Sequence, residues 1–134
     1  MYKKSGNAIF SLNYHLIIVV KYRKKVLTND MIINDLKTLV VSVANNHNVE
    51  IISQECGEDH IHILFRCKPT CNIPNFVNSV KGYTSRTLRV QYAEHIFSQL
   101  HGDAFWSPSY FLATAGNVSI DTLRNYIDNQ RKDL

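Results

Sequence analysis

The chain has 134 residues, 45% hydrophobic and 19% charged, a balance that excludes an intrinsically disordered protein. Fifteen Lys plus Arg against eleven Asp plus Glu give a formal net charge of +4 and favour an anionic partner without specifying one. The odd set Cys56, Cys67 and Cys71 excludes a disulfide framework, and the longest apolar run, residues 16–20, is too short to span a bilayer. A single domain over residues 1–134 is therefore expected, with no membrane association and a reducing cytoplasmic home. The composition assigns no role to the three cysteines.

Residues 10–22 read as a strand. Phe10, Leu12, Tyr14, Leu16, Ile18 and Val20 recur at period two, while the other face changes from Ser11, Asn13 and His15 to Ile17 and Val19. Lys21, Arg23, Lys24 and Lys25 follow at once. Thr28 or Asn29 can cap a helix that Asp30 enters favourably, and Ile32, Leu36, Leu39, Val40 and Val43 form its apolar stripe up to Asn45 and Asn46. Residues 49–55 are a second strand, Gly57 breaks it, and residues 60–67 are a third, so the short connection predicts an antiparallel hairpin.

Pro69 ends the hairpin, and Pro74 stands where a helix begins. Phe76, Val77, Val80, Thr84 and Leu88 form the stripe of that helix, with Lys81, Arg86 and Arg89 off it. Residues 95–103 are expected to be irregular, and the aromatic stretch 104–115 to be strand, whole or split around Pro108. Ala115-Gly116-Asn117 is a turn, and Ser119 can cap a last helix reaching about Lys132. The order β-α-β-β-α-β-α indicates an α+β fold, a two-layer ferredoxin-like sandwich. Its largely antiparallel sheet would carry helices on one face, with a C-terminal helix besides.

Two motifs carry candidate chemistry. On a strand, His60 and His62 point to the same face, about 7 Å apart, while Ile61, Ile63 and Phe65 face the core. Two nitrogen ligands so placed can grip a divalent ion and leave its other positions open. Asp59 and Glu58 are available to orient an imidazole. A histidine pair on a solvated strand face fits the same spacing, as does a zinc site recruiting a cysteine.

On the last helix, Leu123, Tyr126, Ile127 and Gln130 are spaced i, i+3, i+4 and i+7, so Tyr126 and Gln130 share a face. A phenol of pKa about 10 is a weak nucleophile until a nearby cation favours the leaving oxygen. The Gln130 carbonyl suits Mg²⁺ or Mn²⁺ as a third ligand. A tyrosine beside Leu and Ile at this spacing is equally a core residue.

The two motifs together, and the segments around them, resemble the single-tyrosine HUH transposases of small bacterial and archaeal insertion sequences. The resemblance runs from about Tyr14 to Gln130. It comprises Tyr14-His15 with Lys21-Tyr22-Arg23-Lys24, the central Asp59-His60-Ile61-His62-Ile63-Leu64, and Lys68-Pro69-Thr70 with Lys81-Gly82-Tyr83-Thr84-Ser85-Arg86. Trp106-Ser107-Pro108-Ser109-Tyr110-Phe111 and Tyr126-Ile127-Asp128-Asn129-Gln130 complete it.

The resemblance implies that His60, His62 and Gln130 hold Mg²⁺ or Mn²⁺ and that Tyr126 attacks single-stranded DNA, forming a 5′-phosphotyrosine and releasing a 3′-hydroxyl. It implies substrates with hairpin ends, and a homodimer in which each site joins one subunit's histidines to the other's tyrosine helix. A non-catalytic or domesticated hairpin-binding relative, or a repeat-associated HUH nuclease, stays open as an alternative. Lys21, Arg23, Lys24, Lys81, Arg86 and Arg89 are the expected phosphate contacts, with Tyr22, Tyr83 and Trp106 available for base stacking. Residues 106–110 hold no basic residue where many relatives have one, so no phosphate contact is expected from that stretch.

Overall fold

The structure, a computed structural model, describes residues 4–5, 9–116 and 120–129. A short pair, β1 (Lys4–Ser5) and β2 (Ile9–Phe10), precedes the main sheet of β3 (Leu12–Val19), β4 (Glu50–Cys56), β5 (His60–Cys67) and β6 (Phe111–Thr114). The main sheet has the order β4-β5-β3-β6, with every neighbouring pair antiparallel. The long crossovers carry α1 (Asp30–Asn46), then α2 (Ile73–Gln91) and α3 (Ala93–Leu100), and α4 (Ile120–Asn129) follows the sheet. Each crossover skips a neighbouring strand, which is the split arrangement expected of the ferredoxin-like sandwich.

Local signals place these elements. The side chain of Asn29 accepts from the Ile32 amide at 3.0 Å and caps α1. Asn72 does the same for Asn75 at 3.1 Å at the start of α2, with a proline in its first turn. The stripes of α1 and α2 bury Ile32, Leu36, Val40, Phe76, Val77, Val80 and Leu88 against Leu16, Ile18, Ile61, Ile63 and Phe65. The alternation of β3 and β5 therefore divides the sheet. One face builds the main core, and the other carries Ile17, Val19, His60 and His62.

Three expectations need correction. Residues 95–103 are irregular only from His101 on: α3 runs over Ala93–Leu100 and buries Ile96 and Leu100. It escapes notice because Tyr92 separates it from α2 and caps it without a side-chain hydrogen bond. Strand structure within residues 104–115 is confined to β6, apart from one bridge between Trp106 and Val20. The first main strand stops at Val19, and a turn over Lys21–Arg23 replaces its expected end. Ser119 and Lys132, the expected ends of the last helix, lie outside the described residues. Among the described residues no helix is long and apolar enough to cross a membrane.

Candidate active site

His60 and His62 share the sheet face opposite the main core, in register with Val19 and Ile17 of β3. Asp59, in the turn that joins β4 to β5, receives the His60 ring: Nδ1 and Oδ1 are 2.8 Å apart. An ionised carboxylate can only accept, so Nδ1 carries the proton and the lone pair of the neutral ring is on Nε2. The other oxygen, Oδ2, accepts from Arg23 Nε at 2.8 Å. Burial alone would raise the Asp59 carboxyl, but the hydrogen bonds from His60 and Arg23 prevail and hold it below its ordinary value.

His62 meets a side chain that the sequence did not connect with it. Its Nε2 lies 2.9 Å from His15 Nδ1, with the ring centroids 5.0 Å apart. Burial, and then the neighbouring His15, lower the His62 pKa, while Glu55 opposite it in β4 acts the other way. His62 is thus held largely neutral near pH 7, the form that ligates metals.

Tyr126 reaches this face from α4. Leu123 packs on Ile17 and Val19, and Tyr126 and Ile127 flank that contact. The Tyr126 ring lies against Phe111 with centroids 5.1 Å apart. Its hydroxyl is enclosed and makes no hydrogen bond of good geometry. Burial raises the phenol above its ordinary value, partly offset by the Ser109 side chain. Between α4 and the sheet lies a cavity of about 360 Å³ bounded by Glu55, His62, Leu123, Arg124 and Ile127.

The histidines fit a divalent ion in donor chemistry, since Asp59 leaves one lone pair of His60 free and burial keeps His62 neutral. Among the described residues, however, no three His, Cys, Asp or Glu side chains gather tightly enough to enclose one. Gln130, the expected third ligand, lies outside the described residues.

The expected DNA contacts do not form one surface. Lys24 is exposed at the end of β3, beside Lys21, which lies 5.0 Å from the Tyr22 ring. Arg23 is turned inward to Asp59. Tyr83 and Arg86 border a groove of about 380 Å³ between α1 and α2, in the helical layer away from the histidines. Lys81 donates to the carbonyls of Ser107 and Pro108 at 2.8 and 3.2 Å, and burial lowers its pKa. Arg89 donates to the Asp103 carbonyl. Trp106, expected to stack on bases, is only 5% exposed and donates from Nε1 to Thr84 at 3.0 Å. Its ring packs in the core, while the residue also borders a groove of about 470 Å³ that Lys81 and Arg89 line.

His15, Gly57 and Arg124 had no assigned part in the site from the sequence. His15 stood on the polar end of its strand face, but only the pairing of β3 with β5 brings it to His62. Arg124 at the cavity edge stands two residues before the tyrosine and was visible as a cation on the same helix.

Comparison with known proteins bears on this arrangement. The sequence matches the family model of IS200-like transposases over residues 8–130. It is 34% identical over 128 residues to the ISDra2 transposase TnpA of Deinococcus radiodurans, covering 96% of this chain and 90% of that protein. A crystal structure from Deinococcus radiodurans R1, of a protein classed as a transposase, superposes with a TM-score of 0.84 at 31% identity, covering 96% and 98% of the two chains. A REP-associated tyrosine transposase bound to a REP hairpin shares the fold, with a TM-score of 0.58 at 13% identity, covering 96% of this chain and 66% of the other.

Proposed function

The chain belongs to the family of IS200-like transposases, and we propose that it cleaves and rejoins single-stranded DNA by transesterification, with Tyr126 as nucleophile. The Tyr126 oxygen attacks a backbone phosphorus, the bond to the 3′ oxygen breaks, and that oxygen leaves as a 3′-hydroxyl after taking up a proton. The enzyme keeps the 5′-phosphate as a phosphotyrosine ester. A 3′-hydroxyl from another strand then attacks that ester, restores the phosphodiester and frees the phenol. No bond energy is lost, so no nucleotide cofactor is required.

The observation that carries this reading is that α4 brings Tyr126 to the sheet face bearing His60 and His62. His60, with its Nδ1 tied to Asp59, and neutral His62 would hold Mg²⁺ or Mn²⁺ there, with Gln130 as the third protein ligand. When bound, such an ion polarises the scissile phosphate and stabilises charge on the leaving oxygen. Lys21, Lys24 and Arg124 are cations available to the strand's phosphates, and Tyr22, Tyr83 and Arg86 are further contacts for it. The hairpin-bound protein of the same fold supports hairpin DNA as the ligand class.

The Tyr126 hydroxyl is enclosed where it lies, so attack on a phosphate calls for a shift of α4. Exchange of α4 between the subunits of a homodimer would supply that shift. The chemistry is tested by incubating the protein with a labelled single-stranded hairpin oligonucleotide and Mg²⁺. A covalent protein–DNA adduct should form, and Tyr126→Phe should abolish it; an adduct that persists in Tyr126→Phe rules out this nucleophile.

A further inference from the structure

The turn after β3 aims one side chain at both halves of the candidate site. The backbone around it is pinned to the histidine hairpin: the Val20 amide donates to the Asp59 carbonyl at 2.8 Å, and the Leu27 amide to the Glu58 carbonyl at 2.9 Å. Between these anchors, Tyr22 and Arg23 are both left-handed, with φ of 59° and 54°. For residues other than glycine that conformation is sterically unfavourable and persists only when the surroundings enforce it. Its result is to fold the Arg23 side chain inward.

There the Arg23 Nε donates to Asp59 at 2.8 Å, with the two side chains only 24% and 13% exposed. The neighbouring pair of Lys25 and Glu58 is 3.9 Å apart and 70% and 62% exposed, an ordinary surface contact. Asp59 divides its oxygens between Arg23 and His60, so the carboxylate cannot rotate without breaking one bond. The Nη1 of the same guanidinium lies 3.4 Å from the Asp128 carbonyl, two residues beyond Tyr126.

We propose that Arg23 is a positioning residue that fixes the His60 imidazole through Asp59 and contacts the tyrosine helix at the Asp128 carbonyl, instead of serving as a phosphate contact. This rests on the metal-assisted reading above. A guanidinium suits the task because its planar fork can address two acceptors at once, which an ammonium does less well. Removal of such an outer partner costs about 10- to 100-fold in metal affinity.

The test compares Arg23→Gln, Asp59→Asn and the double variant with the unaltered protein. Mn²⁺ affinity is read from free Mn²⁺ by electron paramagnetic resonance, without DNA. Affinity for a single-stranded hairpin oligonucleotide is read across a salt series without divalent ions. Each single variant should weaken Mn²⁺ binding about 10-fold or more, and the double variant should be no worse than the weaker single one. DNA affinity should stay within about twofold, with an unchanged salt slope.

Unchanged Mn²⁺ affinity in Arg23→Gln, with a salt slope smaller by about 0.7, would make Arg23 a phosphate contact and overturn the proposal. Independent, additive losses in the double variant would also overturn it. If circular dichroism shows Arg23→Gln to be unfolded, Arg23→Lys decides, because it should still lose several-fold in Mn²⁺ affinity. If the unaltered protein neither binds Mn²⁺ nor cleaves, the functional reading itself fails, a result distinct from these.

Discussion

The His60 imidazole is confined by space as well as by Asp59. A methyl group built on Gly57 would lie 2.3 Å from Cε1 and 2.8 Å from Nδ1 of that ring. The ring is tied to Asp59 and cannot swing away freely, so glycine is needed there for close approach. Gly57→Ala should leave the fold intact at a cost of about 1–3 kcal/mol but displace the imidazole. At least a tenfold loss of cleavage is expected, read beside thermal melting; full activity with a normal melt would mean that this placement of the ring is dispensable. Gly57 was legible in the sequence as a strand breaker, while its contact with His60 depends on the side chain folding back over the hairpin. The same limit hid the His15–His62 contact, since those residues are 47 positions apart and meet only through strand register.

Elements with strong periodicity were legible, and short ones without caps were not. The stripes of α1 and α2, the Asn29 cap of α1, the proline at the start of α2 and the alternation of β5 all follow from local side-chain patterns, whereas the Asn72 cap of α2 was not read from them. By contrast α3 has only eight residues and no capping side chain, so its helical form depends on burying Ile96 and Leu100. On the other sheet face, α4 is held by a small apolar cluster in which Leu123 is the buried contact with Ile17 and Val19. Leu123→Ala should weaken docking of that helix by about 2 kcal/mol, near the lower end for a buried leucine. Hydrogen exchange should then accelerate in residues 120–129 while α1 and α2 stay protected. Equal acceleration throughout the chain would mean that α4 does not open as a separate unit.

At the scale of the whole molecule, the main core and the tyrosine helix have unequal holds on the chain. The core joins α1, α2, α3 and one sheet face, whereas α4 rests on its own small cluster and follows a turn in which Gly116 has φ of 92°. An element so joined can leave its site without disturbing the fold that carries His60 and His62. If α4 serves a neighbouring subunit, damage on two different chains becomes complementary. Tyr126→Phe subunits keep their histidines and His62→Ala subunits keep their tyrosine, so each mixed dimer contains one site with both parts intact. Random exchange at equal amounts makes half the dimers mixed, and activity should recover to about a quarter of the unaltered level. Each variant alone should be inactive. The measurement is adduct formation on labelled hairpin DNA, with subunit exchange followed separately by fluorescence transfer between labelled chains. A mixture that exchanges subunits yet forms no adduct would place each tyrosine with the histidines of its own chain.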